Sequence, residues 1–309
     1  MNKRTLLNIG LLILVIALVL FAWFKPGLKM PPVEPPLVAL QAADIHDIRI
    51  LQRGANEVKL HRQGDSWQMA VPRQSAADSY LIRSLLNSLA SPSISHFKAV
   101  SADLGKYGLK DPQLRLWLNE TELDFGSSEP LQGHRYVKAG DTIYLTTGTL
   151  FYRVNHAAYW WLDKQLLPAD AHITAVQLPD ATLTLKNGKW QLAPANPAIP
   201  ADNIQKLVDA WHDARALAVL APEKDQPRGE VAIRLAGQEK PLRFQILDNP
   251  DFLLLVRPDL KLEYRLERNQ DDALLHLQTA PQKTAAGHNG TKEPPDARTA
   301  GSRDHPPRH

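Results

Sequence analysis

Residues 56–89, NEVKLHRQGDSWQMAVPRQSAADSYLIRSLLNSL, contain the pattern that decides the fold of this chain. Apolar and polar residues alternate with period two on both sides of the turn Gly64-Asp65, which predicts two paired strands. After Pro72, apolar residues recur every three to four positions, which predicts an amphipathic helix capped by Asp78. Paired strands followed by such a helix indicate a unit in which one helix packs on an antiparallel sheet.

The same pattern recurs about 120 residues later. Trp67 and Trp190 are 123 residues apart, and a second amphipathic helix, with Asp202 as its predicted cap, follows the second group of strands. The fold class predicted is therefore α+β, with two tandem repeats that each pack antiparallel strands with one main helix. Strands are predicted at residues 47–52, 56–62, 66–71, 114–118, 122–125, 135–138 and 142–146, and again at 173–178, 181–185, 189–193, 231–235, 242–246, 252–257 and 260–266.

Residues 5–24, TLLNIGLLILVIALVLFAWF, form an uncharged and almost wholly apolar run before the two repeats. A helix that rises about 1.5 Å per residue would be long enough here to cross the hydrocarbon core of a bilayer. The run is open to two interpretations, a cleaved secretory signal and a permanent single-pass anchor. We favour the anchor, because bulky Trp23 and Phe24 stand where a signal peptidase requires small residues.

Basic residues around the apolar run predict its orientation. Lys3 and Arg4 precede it together with the amino terminus, whereas Lys25 and Lys29 follow it. The slight excess on the amino-terminal side predicts a cytoplasmic amino terminus and an exported body, periplasmic if the protein sits in a bacterial inner membrane. The predicted organisation is a cytoplasmic amino terminus at 1–4, the anchor at 5–24, a Pro-rich spacer at 25–43, the repeats at 44–167 and 168–278, and a disordered tail at 279–309.

Composition excludes several classes of function. The chain has no cysteine, which rules out disulfides, thiolate zinc sites and cysteine nucleophiles. Its net charge of +3 is carried by the two ends, and the body between residues 37 and 278 has a balance of −2, which predicts no nucleic-acid partner. The sequence contains no phosphate-binding glycine loop, zinc-protease motif or nucleophile elbow. We therefore predict no enzymatic activity, catalytic residue, cofactor or metal.

The segment between the repeats, residues 149–168, is the most aromatic part of the body and is predicted to be helical. Clustered aromatic residues are typical of protein interfaces, so Tyr159, Trp160 and Trp161 are candidate contacts with a partner. The alternative is that this segment is a helix wedged between the repeats, with its aromatic side chains buried.

A loop in the first repeat resembles the signature of the domain-of-unknown-function family DUF4340. It contains Tyr107, Gly108, Leu109 and Pro112, and the second of the two strands that follow ends at Gly126. The resemblance covers roughly residues 60–167, and the second repeat lacks the Tyr-Gly-Leu motif. It implies structural roles for these five residues, with the glycine and proline setting the loop and Tyr107 packing over the sheet. It brings no catalytic residue.

The resemblance also implies a membrane-anchored, exported protein, since related domains accompany auxiliary subunits of gliding-motility-type ABC transporters. We expect a non-enzymatic accessory or scaffold protein of an envelope complex, attached to the inner membrane through residues 5–24 and in contact with another envelope or transporter protein. The alternative is a module that binds an envelope glycan, a lipid or a small ligand in the cleft between the repeats. An envelope hydrolase built from the scattered histidines is a third hypothesis.

Overall fold

A computed structural model describes residues 3–24, 35–38, 40–100, 103–223 and 225–279. Most of the predicted spacer and all of the predicted tail beyond residue 279 lie outside these residues. The described chain consists of one long apolar helix and an α+β body with two antiparallel sheets, which is the predicted fold class.

Five α-helices and seventeen strands make up the described chain. The helices are α1 Lys3–Phe24, α2 Ser79–Leu89, α3 Thr149–Val154, α4 Ala201–Asp213 and α5 Gln270–Leu275. The strands of the first unit are β1 Asp47–Gln52, β2 Val58–Gln63, β3 Ser66–Val71, β4 Ser75–Ala77, β5 Ser95–Lys98, β6 Leu114–Leu118, β7 Thr121–Ser128, β8 Arg135–Ala139 and β9 Thr142–Thr146. Those of the second are β10 Ile173–Gln177, β11 Thr182–Lys186, β12 Lys189–Ala193, β13 Ala218–Leu220, β14 Gly229–Leu235, β15 Leu242–Leu247, β16 Phe252–Arg257 and β17 Leu262–Glu267.

The two sheets share one topology. The first has the order β4-β3-β2-β1-β6-β7-β8-β9-β5, and the second has the order β12-β11-β10-β14-β15-β16-β17-β13. Apart from β4, every strand of the first sheet has a counterpart at the same place in the second. This correspondence accords with the predicted tandem organisation, and β4 is the strand by which the two units differ.

The main helix of each unit packs its apolar stripe into one core that is shared by both units. The helix starts, however, differ. Asp78 caps α2 as predicted, because its Oδ1 accepts hydrogen bonds from the backbone N–H groups of Tyr80 (3.0 Å) and Leu81 (3.1 Å). The prediction for Asp202 is wrong, since Pro200 occupies the cap position of α4 and Asp202 lies inside its first turn. The buried stripes consist of Ile82, Leu85, Leu86 and Leu89 in α2 and Ile204, Leu207, Val208 and Trp211 in α4.

The aromatic segment between the units is not the single helix that the sequence predicts. It contains the short helix α3 and, after a break at Asn155, the 3₁₀ turn Ala158–Trp161. The chain then becomes extended, and the backbone at Leu162 forms an antiparallel bridge with Ala77 at the end of β4. Pairing with a distant strand replaces the helical hydrogen bonds that local sequence favours.

The last residues of the predicted spacer, Pro35–Val38, lie against the first unit and are named the strap here. Pro36 forms an isolated antiparallel bridge with Pro92, and the buried residue Ser93 donates to Pro35 O through both its backbone N (3.1 Å) and its Oγ (2.9 Å). Leu37 is buried in the core. The chain that leads from α1 is therefore fixed to the body at this point.

Candidate functional site

The connector, residues 161–166, joins the two sheets by backbone hydrogen bonds on both of its sides. Toward the first unit, Asp163 N donates to Ala76 O in β4 (3.0 Å). Toward the second unit, Leu166 N donates to Ala214 O (3.2 Å), a few residues before β13. Because β4 and the segment before β13 lie at edges of their sheets, the connector fills the gap between two edges that would otherwise expose unpaired backbone.

An ionic cluster of Asp78, Asp163 and Arg215 lies at the connector. Asp78 is only 3% exposed, and while its Oδ1 caps α2, its Oδ2 accepts a hydrogen bond from Arg215 Nη2 at 2.7 Å. Arg215 Nη1 lies 3.9 Å from Asp163 Oδ1, so one guanidinium of the second unit faces a carboxylate of the first unit and one of the connector. Burial raises the pKa of Asp163, an effect that the backbone N–H of Gln165 opposes and the nearby Asp78 carboxylate reinforces.

Arg73 of the first unit makes further contacts across the junction, the region where the connector meets both units. Arg73, in the loop between β3 and β4, donates from Nη1 to Leu260 O and Lys261 O, both at 2.7 Å. Its Nη2 donates to the hydroxyl of Tyr159 at 2.9 Å. The side chain thus ties the first unit to the turn between β16 and β17 and to the connecting segment. The backbone pairing, the ionic cluster and Arg73 together hold the two units as one body.

A cavity of about 680 Å³ remains at this junction. It is lined from both units, and its hydrophilic wall includes the ionic cluster, Tyr264 and Arg257, which pairs with Asp259 outside the lining. Burial raises the pKa of Tyr264 to about 12, and its hydroxyl is protonated at neutral pH with or without this shift. Since the charged groups are largely paired with each other, the cavity offers hydrogen bonds to a polar ligand more than a net charge.

The three predicted contact residues have different environments. Tyr159 is half-buried and engaged by Arg73, and Trp161 is 1% exposed and belongs to the core. Trp160 is 42% exposed, and its ring stacks on His156 with centroids 4.2 Å apart and an interplanar angle of 15°. Lys164 Nζ lies 4.8 Å from the centroid of the same ring. Among the three, Trp160 is the most exposed to solvent.

Four residues of the family motif lie in a loop that rests on the first sheet, and the fifth, Gly126, lies in β7 beside an irregularity of that strand. Tyr107 packs its ring 4.8 Å from that of Tyr136, and Tyr107 O accepts from Ser127 N at 2.8 Å, where the pairing of β7 with β8 shifts register. Gly108 has φ +66°, a conformation that glycine adopts without strain. Leu109 and Pro112 are buried, and Gly126 lies directly beneath the Tyr107 carbonyl.

Sequence patterns did not identify the two arginines of the junction. Arg73 and Leu260 are 187 residues apart, and Arg215 and Asp78 are 137 apart, so no local spacing relates them. The acidic pair Asp271 and Asp272 lies in α5 near His276, with ligand atoms within 4.8 Å of one another. Asp271 already accepts a hydrogen bond from Arg228 Nη2 at 2.6 Å.

These features define a class of protein in which one apolar amino-terminal helix precedes two antiparallel sheets of matching topology, joined through a short connector. The chain belongs to the DUF4340 family, a domain of unknown function whose model matches residues 67–230. The match begins in β3 and ends in β14, so it includes both main helices and the whole connector and extends into the second unit. No curated protein and no solved structure matches the chain.

Proposed function

We propose that the protein is a non-enzymatic accessory or scaffold protein, anchored in a bacterial inner membrane by α1, whose periplasmic body contacts a subunit of an envelope complex such as an ABC-type transport system. The observation that carries this proposal is the junction, where the two units are fastened into one body. Among the described residues, α1 is the one helix that is long and apolar enough to cross a membrane, and it is not buried against the body.

A fastened body suits a scaffold because it presents its surface groups in a fixed arrangement and loses little conformational freedom when a partner binds. Trp160 is the aromatic side chain best placed for such a contact at the junction. Its ring is held by His156 on one side, and tryptophan is among the residues that contribute most to interface affinity.

Site-specific photocrosslinking in cells tests the contact. A photoreactive phenylalanine analogue replaces Trp160 in the full chain, and the control replaces Leu131, which is 90% exposed in a different loop. The proposal predicts a covalent adduct with one envelope protein from position 160 and no such adduct from position 131. Absence of an adduct at 160, with the protein present in the membrane fraction, would contradict the assigned contact.

The proposed orientation has its own test. Alkaline phosphatase fused to the carboxyl end of the full chain is active only when it is exported. An active fusion is expected, whereas an inactive fusion that is stable in the cell would place the body in the cytoplasm and end the periplasmic proposal.

The junction cavity favours a second candidate function, the binding of a glycan, lipid or small polar ligand between the units. Gln68 and Ser75 line this cavity from the first unit, and Tyr264 lines it from the second. Fragments of peptidoglycan are a suitable first probe, because they are rich in hydroxyl and amide groups. This candidate predicts that they raise the melting temperature of the full chain and that Gln68→Ala reduces the shift. No shift with the wild-type chain would count against these ligands.

A further inference from the structure

A second cavity, of about 550 Å³, lies along the outward face of α2 and shares the lining residue Tyr80 with the junction cavity. The segment from β9 to α3 forms the opposite wall, and Leu37 of the strap also lines the cavity. We name this cavity the arginine groove. Its principal polar side chains are Tyr80, Arg83, Ser84, Ser88, Thr147 and Arg153.

The groove carries positive charge without a compensating carboxylate. Neither Asp nor Glu occurs among its lining residues, which include the guanidinium groups of Arg83 and Arg153. Arg153 Nη1 donates to Ser84 Oγ at 2.7 Å, which positions one guanidinium against α2. Within the described part of the chain, Arg83 has no hydrogen-bond or ion-pair partner, whereas Arg215, Arg228, Arg243, Arg257 and Arg265 all pair with carboxylates.

This donor set matches an oxyanion. Each guanidinium has five N–H donors in a planar fork that can form paired hydrogen bonds with phosphate oxygens. The hydroxyl of Ser84 accepts from Arg153 and keeps its own proton available for donation, and Thr147 adds another hydroxyl to the wall. The groove has no lining carboxylate to pair with these guanidinium groups, and a bound anion would supply the missing negative charge.

The attachment of the chain places this groove near the membrane. The strap, whose Leu37 lines the groove, is separated from the end of α1 by residues 25–34. A fully extended chain of that length reaches at most about 40 Å. If α1 spans a membrane, the groove therefore lies within that distance of the bilayer surface, where phosphate groups are concentrated.

We propose that the arginine groove binds a phosphate group, carried either on the headgroup of an anionic phospholipid or on a small soluble phosphate. Arg83 on α2 and Arg153 on α3 donate hydrogen bonds to the phosphate oxygens, and the hydroxyl groups of the wall complete the site. The site belongs to the first unit alone and does not depend on a ligand at the junction.

Calorimetric titration of the full chain in maltoside micelles tests this proposal. The probes are inorganic phosphate and short-chain phosphatidylglycerol, at low ionic strength because salt screens such contacts. The variant Arg83→Gln/Arg153→Gln removes both guanidinium groups. The control Arg53→Gln/Arg243→Gln makes the same change in net charge at two exposed arginines outside the groove, each of which has an acidic partner.

The wild-type chain and the control variant are expected to bind with similar affinity, and the groove variant is expected to bind about 10- to 100-fold more weakly. Tighter binding of phosphatidylglycerol than of phosphate identifies a lipid headgroup, and equal binding identifies a soluble phosphate. Loss of affinity that is equal in both variants, unchanged affinity in the groove variant, or no binding of either probe to the wild type would overturn the proposal. If the groove variant melts early, Arg83→Gln alone serves the same purpose, since its side chain makes no hydrogen bond within the described chain.

Discussion

Gly126 is the point at which the family loop rests on the first sheet. A Cβ atom at this position would overlap the carbonyl oxygen of Tyr107 and would also crowd the side chain of Leu109. The same loop brings Tyr107 between the rings of Phe97 and Tyr136. The motif therefore has a packing explanation: glycine allows the loop backbone to touch the strand, and the tyrosine covers the sheet beside it.

Gly126→Ala should lower the free energy of unfolding by about 3 kcal/mol, because the added methyl group displaces backbone that has no room to move. Gly105→Ala is the matched control in the same loop, where a Cβ would meet no atom within 4 Å. The control should change the free energy by less than about 0.5 kcal/mol. Urea denaturation of both variants measures the difference, and equal effects would contradict the close approach.

Asp78 serves two elements with its two carboxylate oxygens. Asp78→Ala removes the cap of α2 and leaves Arg215 without its shorter ion pair, so we expect a loss of about 3 kcal/mol in the free energy of unfolding. Asp202→Ala, at the start of α4, removes no cap hydrogen bond and should cost only about 0.5 kcal/mol. Thermal and urea unfolding distinguish the two, and a comparable cost at both positions would refute the dual role of Asp78.

The raised pKa of Asp163 predicts that the free energy of unfolding depends on pH. Its pKa is raised in the folded protein, chiefly by burial, so the folded state binds the proton more tightly than the unfolded chain does. Ionisation therefore costs stability as the pH rises above the unfolded value of about 3.9. Asp163→Asn removes this cost, and its amide oxygen can still accept from Gln165 N. The variant should gain stability relative to the wild type as the pH rises toward neutrality, and urea denaturation at several pH values would contradict this if the difference stayed constant.

Strands and main helices could be predicted because their signals are local. Period-two alternation located β6 and β9 with their observed bounds, and the apolar stripe located α2 and α4. Three short edge strands, β4, β5 and β13, were missed because three or four residues are too few to show alternation. The junction could not be predicted, since its contacts join residues more than a hundred positions apart and depend on how the two units come together.

The aromatic segment, residues 149–168, is a second case in which contacts with distant residues override the local sequence preference. Its residues favour a helix, yet the connector is extended because its backbone finds partners in β4 and in the segment before β13. Along this extended path Trp161 is buried in the core, whereas Trp160 lies at the surface. A sequence can mark such aromatic residues as important without deciding which of them is buried.

The Arg73 side chain should limit the motion of one unit against the other. Arg73→Ala removes its hydrogen bonds to Leu260 O, Lys261 O and Tyr159, and we expect amide exchange in the turn between β16 and β17 to become about 10-fold faster. Arg62→Ala is the control, because Arg62 donates to Gly64 O and Ala43 O within the first unit. Hydrogen–deuterium exchange that is unchanged in Arg73→Ala would show that the Arg73 side chain does not restrain the junction.

The whole molecule combines an apolar helix with a body that is fastened at its centre. The strap fixes the incoming chain to the first unit, and the connector, Arg215 and Arg73 fix that unit to the second. These contacts join the two units through a short, hydrogen-bonded path. This arrangement is suited to holding a membrane complex in a defined geometry, which is the proposed role.

Gentle-detergent purification of the full chain from its own membranes, with in-cell crosslinking and mass spectrometry, tests this role most directly. A variant that lacks residues 1–34 but carries a cleaved export signal keeps the strap and loses the helix. We predict that the full chain retains its amino-terminal helix and recovers one envelope or transporter subunit reproducibly, and that recovery falls sharply for the variant. A full chain that is found without its helix, or that is recovered alone, would contradict the account of a membrane-anchored accessory protein.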